Sequence, residues 1–194
     1  DELAAARRKL DLPDEFLVSV GTIHPRKNLG GLAAALEIVS RQVGRRVPAI
    51  HVGGEGWLVD RVYKQVRAAG DGAVRFVGHV DEATLRALYT LARALVYPSL
   101  DEGFGLPILE AFACDCPVVT SNRSGMDEVA GGAAILIDPD DPESIAGGII
   151  EVLDDDERRE ELRRLGRERR SVYSWRRSAV ALMTAYREAG CDEP

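Results

Sequence analysis

Two glutamates eight residues apart frame the segment richest in chemistry, Glu102–Glu110, which reads EGFGLPILE. Gly103 and Gly105 let the backbone approach a ligand closely or adopt positive φ. Pro107 suits the first turn of a helix, where its missing N–H would be unpaired anyway. A helix predicted over Pro107–Cys114 thus starts directly after a glycine-rich turn. Its free N–H groups and positive dipole end form a site for an anion such as phosphate. Glu110 falls roughly 4–5 Å up that helix, where a carboxylate can accept hydrogen bonds from sugar hydroxyls beside the phosphate. Glu102 precedes the turn, on the side where the next chemical group would sit. Taken singly, each residue is equally well a dipole partner or part of a turn. The combination at one strand end is much harder to obtain by accident.

Arg26 and Lys27 form the second element, with Asn28 placed to cap the helix that follows. Two adjacent cations can neutralise a diphosphate, the arginine as a fork and the lysine as a point charge. Alone they would be read as a solvated basic turn; beside the Glu102 loop the two signals support each other. Gly53–Gly54–Glu55–Gly56 lacks the full G-x-G-x-x-G spacing and an acidic partner, so no redox cofactor is expected. Its glycines are read as backbone that a ligand or neighbouring loop must approach.

The elements that position these residues alternate in period. Short β-branched runs recur at Phe16–Val20, Val47–Val52, Val74–Val77, Ala94–Tyr97, Pro117–Thr120 and Ala134–Ile137. Helical spacing separates them, as in Leu29–Val43, Leu58–Ala69 and Ala83–Ala92. Strands alternating with helices predict an α/β fold, a Rossmann-like doubly wound parallel sheet of about six strands. Three helices are predicted after the last strand, over Pro142–Leu153, Glu157–Arg170 and Trp175–Ala189, as a helical C-terminal tail. No repeat or low-complexity linker divides the chain, so residues 1–194 are read as one domain. In such a sheet ligands bind at the carboxyl ends of the strands, where the glycines and charges above concentrate.

Composition narrows the function further. At 194 residues and 45% hydrophobic, the chain can bury a real core. Its 25 lysines and arginines against 32 acids leave a net charge of −7, a poor basis for holding nucleic acid. No apolar run approaches the roughly 20 residues of a membrane helix, and Asp1–Lys9 lacks the apolar core of a signal peptide. A cytoplasmic, soluble protein is the expectation. Cys114, Cys116 and Cys191 make neither a disulfide framework nor a zinc cage. His24, His51 and His79 are scattered, giving zinc little support. Asp138–Asp140 and Asp154–Asp156 spell D-x-D, yet helix capping and solvation explain both more simply. The run Arg158–Arg170 interleaves glutamates at helical spacing, as an exposed helix with internal ion pairs would. Ser121 and Ser124 lack a nucleophile elbow, so no hydrolase triad is supported.

The succession VGTIHPRKNL, GGEGW, VRFVGHV, LVYPSLDEGFGLPILEAFACDCPVVTSN and EVAGGAAILIDPDDPESIA resembles the donor-binding, C-terminal half of GT-B glycosyltransferases of family 4, covering about Phe16 to Ala189. It is most similar to bacterial mannosyltransferase-like members used in polysaccharide assembly. The resemblance implies transfer of a hexose from a nucleotide-sugar to an acceptor hydroxyl, with retention of configuration and no metal or other cofactor. Carried onto this sequence, Arg26 and Lys27 hold the donor diphosphate and help the nucleotide leave. Glu110 binds the ribose. Glu102, with backbone amides of Gly103, Phe104, Gly105 and Leu106, surrounds the transferred sugar and distal phosphate. Gly78, His79 and Val80 meet the base, while Gly21, Gly53 and Gly54 lie close to the ligand. Arg26, Lys27 and Glu102 are thus the expected catalytic set. The HPRKN loop leans toward GDP-mannose over UDP-sugars.

The resemblance also implies an acceptor-side half that precedes the first strand and lies outside this sequence. Its glycan or lipid-linked acceptor would be met through that half, and the full enzyme would work in the cytoplasm or peripherally at the inner face of the membrane. The isolated chain is then expected to bind nucleotide weakly, to transfer little sugar, and to expose an apolar patch. Two other readings stay open: a non-catalytic nucleotide-sugar-binding module, and a sugar-nucleotide epimerase of the same architecture.

Overall fold

The computed structural model describes residues 2–70 and 72–190. Six parallel strands form one sheet: β1 (Leu17–Val20), β2 (Ala49–Val52), β3 (Val74–Gly78), β4 (Leu95–Tyr97), β5 (Val118–Ser121) and β6 (Ile135–Ile137). Their spatial order is β3-β2-β1-β4-β5-β6, so the winding reverses between β1 and β4. That reversal opens a crevice at the carboxyl ends of those two strands. The doubly wound sheet expected from the alternating periods is therefore present.

Strand side chains alternate between two cores, as the pleat requires. Leu17, Ala49, Val96 and Val119 pack toward α2 (Leu29–Val43), α3 (Val59–Ala69) and α7 (Pro142–Asp154). Val18, Ile50, Leu95, Tyr97 and Val118 face the other way, toward α4 (Glu82–Leu91), α5 (Leu106–Ala113) and α6 (Ser124–Ala130). Both faces are covered, which is why the strands read as continuous apolar runs.

The first helix, α1 (Glu2–Lys9), is tied down from β3: the Arg75 guanidinium donates to the carbonyls of Leu10 and Asp11. In α8 (Asp156–Arg170) the predicted internal pairs are present, including Arg164 with Glu168 at 2.7 Å. The last helix, α9 (Trp175–Glu188), buries none of its residues; Trp175, Leu182, Met183 and Tyr186 all face solvent.

The structure adds the 3-10 turn Pro25–Lys27 and the helix α6, and changes one cap. The β5 end, read only as a strand-end segment, carries the helix α6. Asn28 stands at the N-cap position of α2 with φ of +54°, but its side chain makes no cap bond. Its Nδ2 instead donates to the Pro139 carbonyl at 2.6 Å, joining the β1 and β6 loops. Cys191 lies outside the described residues.

Candidate functional site

The β1 strand ends at Val20, and beyond Gly21 the chain turns through a short 3-10 helix, Pro25–Lys27. His24 Nδ1 accepts from the Arg26 N–H and starts that turn. The Lys27 stem folds back across Gly21, where an added Cβ would lie 2.7 Å from Lys27 Cε. Glycine suits position 21 because its φ is +139° and an added Cβ would press on the Lys27 stem. The β4 loop meets this turn: Leu100 N–H donates to the Arg26 carbonyl at 2.8 Å, and Arg26 reaches the Asp101 carbonyl at 3.0 Å.

Between the two loops sits a three-charge cluster. Lys27 Nζ donates to Glu102 Oε1 at 2.5 Å, and Arg26 Nη1 to Glu102 Oε2 at 2.8 Å. Lys27 and Glu102 are each only 9% exposed, whereas the Arg26 side chain is 44% exposed. Burial alone would push the Glu102 carboxyl up, but Lys27, Tyr97 and Arg26 outweigh it and hold the group below the ordinary carboxylate range. The residues expected to act together are thus brought together at the switch point. A cleft of 560 Å³ adjoins Arg26 and Lys27, with Thr22, His24 and the exposed Trp57 on its walls.

Two buried side chains support the cluster and were not singled out from the sequence. The Tyr97 hydroxyl accepts from Lys27 Nζ at 2.8 Å, and Nζ lies 4.7 Å from the tyrosine ring centre. His51 in β2 is fully buried, with Nε2 2.9 Å from the Gly21 carbonyl and Nδ1 3.2 Å from Ser19 Oγ. Burial pushes the imidazole pKa down to about 4, opposed by the Gly21 bond and aided by the nearby Lys27 charge. A neutral ring therefore donates Nε2–H to Gly21 and accepts from Ser19. The signal in the sequence was a lone polar residue inside an apolar strand; for Tyr97 it was the last position of a strand beside β1.

The glycines of the β2 loop serve loop-to-loop approach. A Cβ on Gly53 would fall on the Gly21 carbonyl, and one on Gly54 would fall on the His79 ring. Gly53 N–H donates to the Gly78 carbonyl at 2.9 Å, so the ends of β1, β2 and β3 are laced together. Gly78, His79 and Val80 stand on the β3 side of this lacing, and the structure does not bring them to the charge cluster.

Glu110 is positioned differently. It lies on the exposed side of α5 and accepts from the Tyr89 hydroxyl at 2.9 Å. Burial first, and the Glu110 charge second, push the Tyr89 phenol pKa upward, so it remains a donor. Glu110 lines a second cleft of 380 Å³ with Phe104, Leu106, Tyr173 and Trp175. The Glu102–Leu106 loop meets Arg26 and Lys27 through Glu102 and lines this second cleft through Phe104 and Leu106. Gly105, at φ of +94°, is the N-cap of α5 as the glycine-rich turn required, and Gly103 is exposed before it.

The D-x-D stretches hold structural roles. Asp138 and Asp140 both pair with Arg123, Asp141 caps α7, and Asp155 caps α8. Among the described residues, no three acidic, histidine or cysteine side chains group as metal ligands, and no helix is long and apolar enough to cross a membrane.

Residues 2–169 match the family model described as glycosyl transferases group 1. The chain is 38% identical over 173 residues to O-antigen chain mannosyltransferase B of Escherichia coli, covering 89% of this chain and 45% of that protein. It is 36% identical over 191 residues to a glycogen synthase of Mycobacterium tuberculosis, covering 94% and 44%. In three dimensions it superposes on sucrose-phosphate synthase of Thermosynechococcus elongatus with a TM-score of 0.78 at 31% identity, over 96% of this chain and 48% of that one. The chain spans less than half the length of these relatives.

Proposed function

The chain belongs to the group 1 glycosyltransferases, and on that premise we propose that it is the donor half of a retaining enzyme. It would move a hexose from a nucleotide-sugar to an acceptor hydroxyl in glycan or polysaccharide synthesis. The observation that carries this reading is the buried Lys27–Glu102–Arg26 cluster at the β1/β4 crevice. When the bond from the sugar to its diphosphate breaks, negative charge gathers on the leaving phosphate. Two prepositioned cations and the amide dipoles at the α5 N-terminus stabilise that charge without reorganising. These groups supply the positive charge that a divalent cation would otherwise bring, so transfer is proposed to need no metal.

Glu102 would turn from its cations toward hydroxyls of the transferred sugar. Glu110, free on its outer side, would take the ribose, and the β3 loop would meet the base. GDP-mannose is the proposed donor, supported by the HPRKN loop and by the similarity to a mannosyltransferase. The uncovered apolar side chains of α9 are proposed to meet an acceptor-side half, through which a glycan or lipid-linked acceptor would enter.

The test is thermal stabilisation of the chain by GDP-mannose, UDP-glucose and ADP-glucose, followed by product analysis with a mannose-terminated oligosaccharide. GDP-mannose should raise the melting temperature most, with little or no transfer by this chain alone. An equal or larger shift with UDP-glucose or ADP-glucose overturns the mannose assignment. Robust transfer overturns the need for a second half, and an epimerised nucleotide-sugar overturns transfer itself.

A further inference from the structure

We propose that Tyr97 is a positioning residue for Lys27, a role that rests on reading the β1/β4 edge as the diphosphate site. An ammonium carries three N–H donors and no acceptor. In Lys27 one is spent on Glu102 Oε1 at 2.5 Å and one on the Tyr97 hydroxyl at 2.8 Å. Tetrahedral geometry then dictates the direction of the third, which is the donor left for a ligand oxygen. The Tyr97 ring lies against the same ammonium, 4.7 Å away, and adds attraction from its face.

Tyr97 itself cannot swing aside. It is 2% exposed, sits at the end of β4 in register with Thr120, and packs among the side chains on the α4–α5 face of the sheet. One phenol on a rigid strand thus locates the cation that Glu102 shares. The consequence concerns ligand exchange. When Glu102 turns toward a substrate sugar, Lys27 keeps one immobile partner and does not swing out to solvent.

The role is tested by a double-mutant cycle on binding of whichever of GDP, UDP and ADP the chain holds most tightly. Tyr97→Phe keeps the ring and removes only the hydroxyl; its affinity should fall roughly tenfold, as for a lost hydrogen bond to a charged group. Lys27→Ala should cost more, and Tyr97→Phe added to Lys27→Ala should cost nothing further. A second measurement needs no ligand. In protein labelled with 15N-lysine, where Lys9, Lys27 and Lys64 are the lysines, the Lys27 ammonium should be protected from exchange in the parent and broadened in Tyr97→Phe.

Additive losses, or an unchanged affinity in Tyr97→Phe while Lys27→Ala weakens, would overturn the positioning role and leave the diphosphate site standing. An unchanged Lys27 signal in Tyr97→Phe would overturn it as well. If Lys27→Ala binds as tightly as the parent, or no diphosphate binds, the site reading falls and takes this role with it.

Discussion

Lys27 Nζ lies 2.5 Å from Glu102 Oε1, although the two residues are 75 positions apart and follow different strands. The pair bridges the switch point of the sheet and gives the crevice its charge. Because both groups are nearly buried, each depends on the other for solvation. Glu102→Gln should lower the unfolding free energy by about 1–2 kcal/mol near pH 7. The Glu102 pKa is lowered in the fold, so its contribution is present above the unfolded carboxylate value and lost as pH falls through the folded one. Urea unfolding should therefore show parent and variant converging in acid. A gap that persists or widens there would contradict the assignment.

His51 predicts a second pH dependence, at higher pH. Its pKa falls from 6.5 to about 4 on folding, so between those values the unfolded chain binds more protons and stability rises with pH. From this group alone the fold should be about 2 kcal/mol less stable at about pH 5 than near pH 7. His51→Gln, which retains a donor toward Gly21, should flatten that part of the profile. Urea midpoints across the range are the check.

Loop lacing predicts a sharp contrast between two glycines. Gly53→Ala places a methyl group on the Gly21 carbonyl at φ of +149° and should cost more than about 2 kcal/mol. Gly147→Ala, at an exposed position of helix α7 with open space around it, should instead stabilise by about 0.5–1 kcal/mol. Thermal melts of both variants test the pair.

Glu110 should separate binding from stability. Glu110→Gln keeps an acceptor for the Tyr89 hydroxyl, so its melting temperature should stay within a degree or two of the parent. A ribose role requires it to bind a ribonucleoside diphosphate several-fold more weakly, on the order of tenfold, with a smaller effect on the 2′,3′-dideoxy analogue. Equal losses on both nucleotides would remove the ribose from its role.

Much of this architecture was legible because it rests on period. Both faces of the sheet are covered, so strands such as Ala94–Tyr97 read as unbroken apolar runs between helical segments, and Gly105 with Pro107 marked the start of α5 within a residue. The meeting of Arg26 and Lys27 with Glu102 followed from topology once β1 and β4 were taken as neighbours. What stayed hidden was set by tertiary contact. Tyr97 looked like one more apolar strand residue until Lys27 folded back over Gly21. Asn28 had the chemistry of a cap, but the Pro139 carbonyl claimed its side chain. Helix α6 is only seven residues long and carries two turn-forming residues at its start, so its pattern was too short to read.

The nucleoside-diphosphate site built on Lys27 is proposed to need no metal. Its most direct test is calorimetric titration of the chain with GDP, UDP and ADP in EDTA, beside Lys27→Ala. Binding in EDTA should be saturable, tightest for GDP and at least tenfold weaker in Lys27→Ala. Binding that vanishes in EDTA, or that is indifferent to Lys27, would contradict it.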